Sequence, residues 1–155
     1  MQHAARRVIA VANMRSRNDA AANLAACADL VVAAAARGVG LLCLPECFAF
    51  MGTSGTTETA EFAQHLDAKG GVIRAYRRLA RDHGMWLSLG GFHELCDASN
   101  RHVSGAPSAS QPPQAANGTA VQYFNSHLLV DNRGDGAWRS PSLPLPVATS
   151  APSLL

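Results

Sequence analysis

The sequence predicts an α/β fold built on a parallel sheet, and three observations carry that prediction. Short continuous apolar runs stand where strands buried on both faces would lie. Segments with the 3.6-residue apolar period of amphipathic helices fall between them. The first run, the first helical segment and the second run follow one another within 44 residues, which is the spacing of a right-handed βαβ unit.

The opening run is RVIAVANM, Arg7 to Met14. Asn18 and Asp19 then supply N-cap chemistry, Leu24, Ala28, Val31 and Ala35 recur at helical spacing, and Arg37-Gly38 closes the element, so a helix is predicted over 18–37. Gly40 to Leu44 is a second buried-type strand that runs directly into Pro45-Glu46-Cys47-Phe48. After a threonine-rich loop from Gly52 to Thr59, Gly70 and Gly71 precede a second helix with Ile73, Tyr76 and Ala80 on one face, ending at Gly84. Met85 to Gly90 is the third strand. Residues 95–119 hold Pro107, Pro112 and Pro113 among serines and alanines without periodicity, the composition of a flexible insertion. Ala120 to Asp131 returns to strand composition, and Asn132-Arg133-Gly134-Asp135 signals a hairpin turn whose second strand barely begins. Residues 1–138 thus form one domain, and the proline-rich stretch 139–155 is expected to be a disordered tail.

A chain of 155 residues with 48% hydrophobic content can bury one core and has no room for two. Charged residues make up 15% and the net charge is +2, which argues against intrinsic disorder and against a polybasic nucleic-acid surface. Lys69 is the only lysine, so any lysine chemistry has a single candidate. No run is long enough to span a membrane, and Arg6-Arg7 leads into a run too short for a secretory signal. Four scattered cysteines, Cys27, Cys43, Cys47 and Cys96, then read as reduced thiols in a cytoplasmic setting, an organelle being the other possibility.

Four segments in order, RVIAVANM, LLCLPECFAFMG at 41–52, WLSLGGFHE at 86–94 and YFNSHLLVDNRG at 123–134, resemble the N-terminal part of the nitrilase-superfamily carbon–nitrogen hydrolases, most closely the deaminated-glutathione amidase branch. The resemblance covers about residues 7 to 135 and implies an incomplete four-layer αββα sandwich. It also implies a Glu-Lys-Cys constellation, in which a cysteine thiolate attacks an amide carbon, a carboxylate moves the proton and an ammonium stabilises the oxyanion. Glu46, directly after Pro45, matches the family's glutamate and is the one catalytic residue expected. The family's lysine would stand in the segment that here reads Ala137-Trp138-Arg139-Ser140, and its nucleophile elbow would follow downstream, so the chain is expected to be catalytically incomplete. The implied substrate is a linear ω-amide such as deaminated glutathione. No cofactor or metal is implied, and family members pair into homo-oligomers.

The other chemistry-bearing residues have plainer readings. Cys47 beside Glu46 is expected to pack, because neighbouring strand residues point to opposite faces. Cys43, Cys47, His93 and Cys96 lack the paired CxxC of a zinc site. His93-Glu94 reads as a surface pair that could also edge a pocket, and Asn125 and His127 share a strand face from which they would hold neighbouring loops. Arg74, Arg77, Arg78 and Arg81 make a solvated basic helix face without the interleaved aromatics of an RNA-binding surface. The competing functional reading is a non-catalytic assembly module that pairs with a full-length relative, or aggregates, through an uncovered sheet face.

Overall fold

The computed structural model describes residues 8–53, 58, 62–66, 71–95 and 123–141. Its elements are β1 (Val8–Val11), α1 (Ala20–Ala35), β2 (Val39–Cys43), α2 (Val72–Asp82), β3 (Trp86–Leu95), β4 (Tyr123–Val130) and β5 (Gly136–Pro141). The five strands form one sheet in the order β1-β2-β3-β4-β5. The first three are parallel, and β4 and β5 add antiparallel by way of the hairpin. This is the α/β class that the alternation of runs predicts.

Helix α1 begins where Asp19 caps it, its side chain accepting from the Ala22 N–H at 3.0 Å. It buries Asn23, Cys27, Val31 and Ala34: Val31 is buried as expected, whereas the other three each stand one position before the expected Leu24, Ala28 and Ala35. Asn23, polar yet buried, has its amide hydrogen-bonded to Arg17 and Ala49. Helix α2 buries Ile73, Tyr76 and Ala80 as its period predicts. It ends before Gly84, whose φ of +59° lies in the left-handed region that glycine enters without strain.

Both helices pack on one face of the sheet. There Cys27, Val31, Ile73 and Tyr76 meet Leu42, Leu87, Leu89, Phe92, Leu128 and Val130 in a single core. Strand alternation puts Ile9, Val11, Leu41, Trp86, Leu129 and Trp138 on the opposite face. No described element covers that face, and Ile9, Val11 and Trp138 are 64%, 83% and 56% exposed. The expectation of strands buried on both sides therefore holds for one side only.

Two strands run further than the sequence indicates. Strand β3 passes through Gly90-Gly91 rather than ending there, because the pair sits in a register irregularity between Leu89 and Phe92 and pairing with β4 resumes to Leu95. Strand β5 runs to Pro141, so Arg139 to Pro141 belong to the sheet and not to a tail. Pro141 is tolerated because β5 is the edge strand and a proline there need forfeit no ladder bond. Residues 142–155, and most of the insertion expected at 95–119, lie outside the described residues.

Candidate functional site

The site grows from the loop that follows β2. Leu44 N–H donates to Ser88 O at 2.8 Å, continuing the parallel pairing by one residue, and the chain then turns at Pro45-Glu46-Cys47. Cys47 takes φ +56°, a left-handed conformation that costs an L-residue about 1–2 kcal/mol. Its N–H donates to Gly91 O at 3.2 Å, which pins the turn on the irregular part of β3. Past the turn, Phe48 enters the core and meets the Tyr76 ring edge-on at 4.8 Å. Glu46 and Cys47 thus lie in a turn and not in a strand, so the strand-alternation argument for separating their side chains does not apply.

Glu46 is exposed, and its Oε1 accepts a 2.8 Å hydrogen bond from Asn125 Nδ2 on β4. Asn125 pairs in register with His93 on β3, so these two side chains share the open face. Gly90 and Gly91 make the approach possible. A β-carbon on Gly90 would overlap the Pro45 carbonyl and lie 2.8 Å from Glu46 N, and one on Gly91 would overlap the Asn125 side chain. A Gly-Gly pair inside a strand is the sequence signal for such a close approach. Further along the same face Ser88 Oγ meets His127 Nε2 at 2.9 Å. Asn125 and His127 therefore hold neighbouring segments, as their shared face suggests.

Electrostatics around Glu46 are set by burial and by its own charge. Burial holds the His93 imidazole below its ordinary 6.5, and the Glu46 carboxylate opposes that shift. The Cys47 thiol is pushed above its ordinary value, first by burial and then by repulsion between its thiolate and Glu46. A nucleophilic cysteine needs the opposite environment. Cys27 is raised to about 11 by burial and is equally inert.

Glu94 is not on the surface. It is 3% exposed, on the packed face, with Arg139 Nη2 at 2.7 Å from Oε1, Arg139 Nε at 2.8 Å from Oε2, and Ser126 Oγ donating to Oε2 at 2.6 Å. This cluster ties β5 to β3 across β4, and the sequence alone gave no sign that Arg139 belonged to the fold. Ser140 pairs in register with His127 and so lies on the open face with Asn125. Lys69 and Cys96 lie outside the described residues, and among the described residues no cluster of three His, Cys, Asp or Glu is placed to hold a metal.

Fold and site together define one sheet-and-helix layer pair of an α/β fold, with a supported carboxylate beyond the carboxyl end of a parallel strand, where ligands of such sheets gather. The chain belongs to the carbon-nitrogen hydrolase family, whose model matches residues 8–141. It is 34% identical over 128 residues to the deaminated glutathione amidase of Dictyostelium discoideum, covering 81% of this chain and 37% of that one. It is 44% identical over 127 residues to the nitrilase and fragile histidine triad fusion protein NitFhit of Drosophila melanogaster, 82% of this chain and 22% of that one. The chain thus spans well under half the length of these curated relatives. Among solved structures, Caenorhabditis elegans NitFhit matches 95% of the chain at TM-score 0.60 and 29% identity, covering 30% of that chain. A nitrilase-superfamily amidase from Nesterenkonia matches 86% at 0.57 and 22%, covering 41% of that chain, a likeness of fold. The nitrilase-type α/β fold follows from these matches. No helix among the described residues is long and apolar enough to cross a membrane.

Proposed function

We propose that this chain carries the general-base half of a carbon–nitrogen hydrolase that acts on linear ω-amides of the deaminated-glutathione kind, with Glu46 as the base. The observation that supports this most is the Asn125–Glu46 hydrogen bond at 2.8 Å, which holds a carboxylate on the open side of the sheet. In the proposed chemistry Glu46 accepts the proton of an attacking thiol and returns it to the departing ammonia. The family resemblance places the oxyanion-stabilising lysine in the segment that here reads Ala137-Trp138-Arg139-Ser140, which holds no lysine, and Ser140 on the open face beside Asn125 is the position taken for it here. The 155 residues by themselves are accordingly proposed to be inactive, since groups that act as a unit lose nearly all their effect singly.

Two experiments test this. The chain alone should show no turnover of ω-amides, and measurable turnover would overturn the claim that it is incomplete. Residues 8–141 carrying Ser140→Lys should replace the corresponding segment of the Dictyostelium amidase with activity retained. Glu46→Gln in that chimera should lower kcat by about 10²–10⁴-fold. Full activity in the Gln variant would remove Glu46 from the chemistry.

A second reading is favoured by the uncovered face with Ile9, Val11 and Trp138: a module that pairs through this sheet face with a full-length relative or with itself. Size-exclusion chromatography with light scattering reads it directly. A monodisperse monomer that leaves a hydrophobic dye dark would exclude it. The three free cysteines among the described residues fit a cytoplasmic location for either reading.

A further inference from the structure

The open face of the sheet is divided between two chemistries. The end nearest the Glu46 turn is polar, with His93, Asn125, His127 and Ser140. Below it two register rows cross the strands: Val11, Cys43, Ser88, Leu129 and Trp138 in one, Ile9, Leu41 and Trp86 in the next. Neither row holds a charged side chain. Val11 and Ile9 at one edge and Trp138 at the other are more than half exposed, and both tryptophans of the chain stand on this face.

Strand β5 delivers the next stretch of chain to the same face. It runs in the direction of β1 to β3, so Pro141 lies at the polar end, about 10 Å beyond Trp138 along the strand. Residues 142–155, SLPLPVATSAPSLL, hold no charged side chain, and Leu143-Pro144-Leu145-Pro146-Val147 is apolar throughout. Alternating prolines bias such a segment to polyproline II, which needs no ladder partner, and their missing N–H groups leave few backbone donors to keep solvated. Segments of this kind dock on exposed aromatic rings. Trp86 lies two strands in from Trp138 and one row down, roughly 12 Å away, and five residues of polyproline II span about 15 Å.

We propose that Leu143 to Val147 fold back from β5 onto these rows and lie between the rings of Trp138 and Trp86, so that the chain covers part of its own open face. Attachment at Pro141 gives the segment an effective concentration of roughly millimolar beside its seat. That favours it over a second copy of the chain or a separate proline-rich peptide of the same chemistry. The seat is independent of the role assigned to Glu46, and a relative that pairs through this face has to displace the segment first.

The two tryptophans make the test direct, because acrylamide quenching of the full chain's tryptophan fluorescence reads these two rings and nothing else. Leu143→Ser/Leu145→Ser should raise the quenching constant about twofold and increase binding of a dye for apolar surface. Its far-ultraviolet circular dichroism should match that of the unaltered chain, and lost helical signal would place these leucines in the core and overturn the proposal. Leu154→Ser/Leu155→Ser, the same change beyond the seat, should leave quenching as it was. A constant unmoved by the first pair of changes or an equal rise with the second would also overturn it. So would protection of the rings that fades on dilution, which would assign the cover to a second copy.

Discussion

Arg139 on β5 and Glu94 on β3 meet across β4 with Nη2 and Oε1 2.7 Å apart, one side chain 25% exposed and the other 4%. Removing one member of a buried pair leaves the other charge desolvated and alone. Arg139→Ala should therefore destabilise the chain by about 3 kcal/mol. Replacing both groups, as in Glu94→Leu/Arg139→Met, should cost distinctly less than the single change. Urea unfolding of the three proteins checks the order, and equal losses would mean the pair is solvated in solution.

The two glycines of β3 should differ in their tolerance of a methyl group. At Gly91 the new atom meets the Asn125 side chain, which can swing away at the expense of its bond to Glu46. At Gly90 it meets the backbone of Pro45 and Glu46, which cannot move without opening the turn. Gly90→Ala should lower the unfolding free energy by more than about 2 kcal/mol and Gly91→Ala by about 1. In the active chimera Gly91→Ala should nevertheless match Asn125→Ala in lost rate.

Stability should also depend on pH through His93. Its folded-state pKa lies below the ordinary 6.5, so the folded chain binds fewer protons than the unfolded one between the two values, and stability rises with pH across that window. The contribution is complete above pH 6.5 and fades as pH falls through the folded value. The thermal midpoint should drop from pH 7.5 to pH 5, with the slope reduced in His93→Gln. An unchanged slope would assign the dependence to other groups.

Cys47 should be a poor nucleophile despite standing next to a carboxylate. With its pKa raised by burial and by Glu46, little thiolate exists at neutral pH, and iodoacetamide should label it more slowly than a free thiol. Glu46→Gln removes the repulsion and should quicken labelling. Peptide mapping after timed alkylation measures both rates, and rapid labelling in the unaltered chain would contradict the assigned environment.

Much of the architecture was legible because it rests on local rules. Asp19 as a cap, Ile73-Tyr76-Ala80 as a helix face and Asn132-Arg133-Gly134-Asp135 as a turn all follow from chemistry within a few residues. Glu46 was legible as a candidate through the segment around it. What supports it was not, because Asn125 lies 79 residues away and the role of Gly90-Gly91 is to leave room for another strand's side chain. Arg139 was misread for a related reason. The prolines after it dominate the local pattern, whereas its place in the sheet is decided by Glu94, 45 residues earlier.

Asn23 bridges two loops that are distant in sequence. Its Nδ2 donates to Arg17 O at 2.8 Å and to Ala49 O at 3.0 Å, while its Oδ1 accepts from Arg17 N–H at 2.9 Å, and Met51 N–H donates to Arg17 O at 3.0 Å. The segment after β1 and the segment after the Glu46 turn therefore share their bonds and cannot open independently. In native-state hydrogen exchange they should behave as a single cooperative unit, their amides released by one opening event. The turn that carries Glu46 is thus tethered to the first turn of α1, although it has no regular secondary structure of its own.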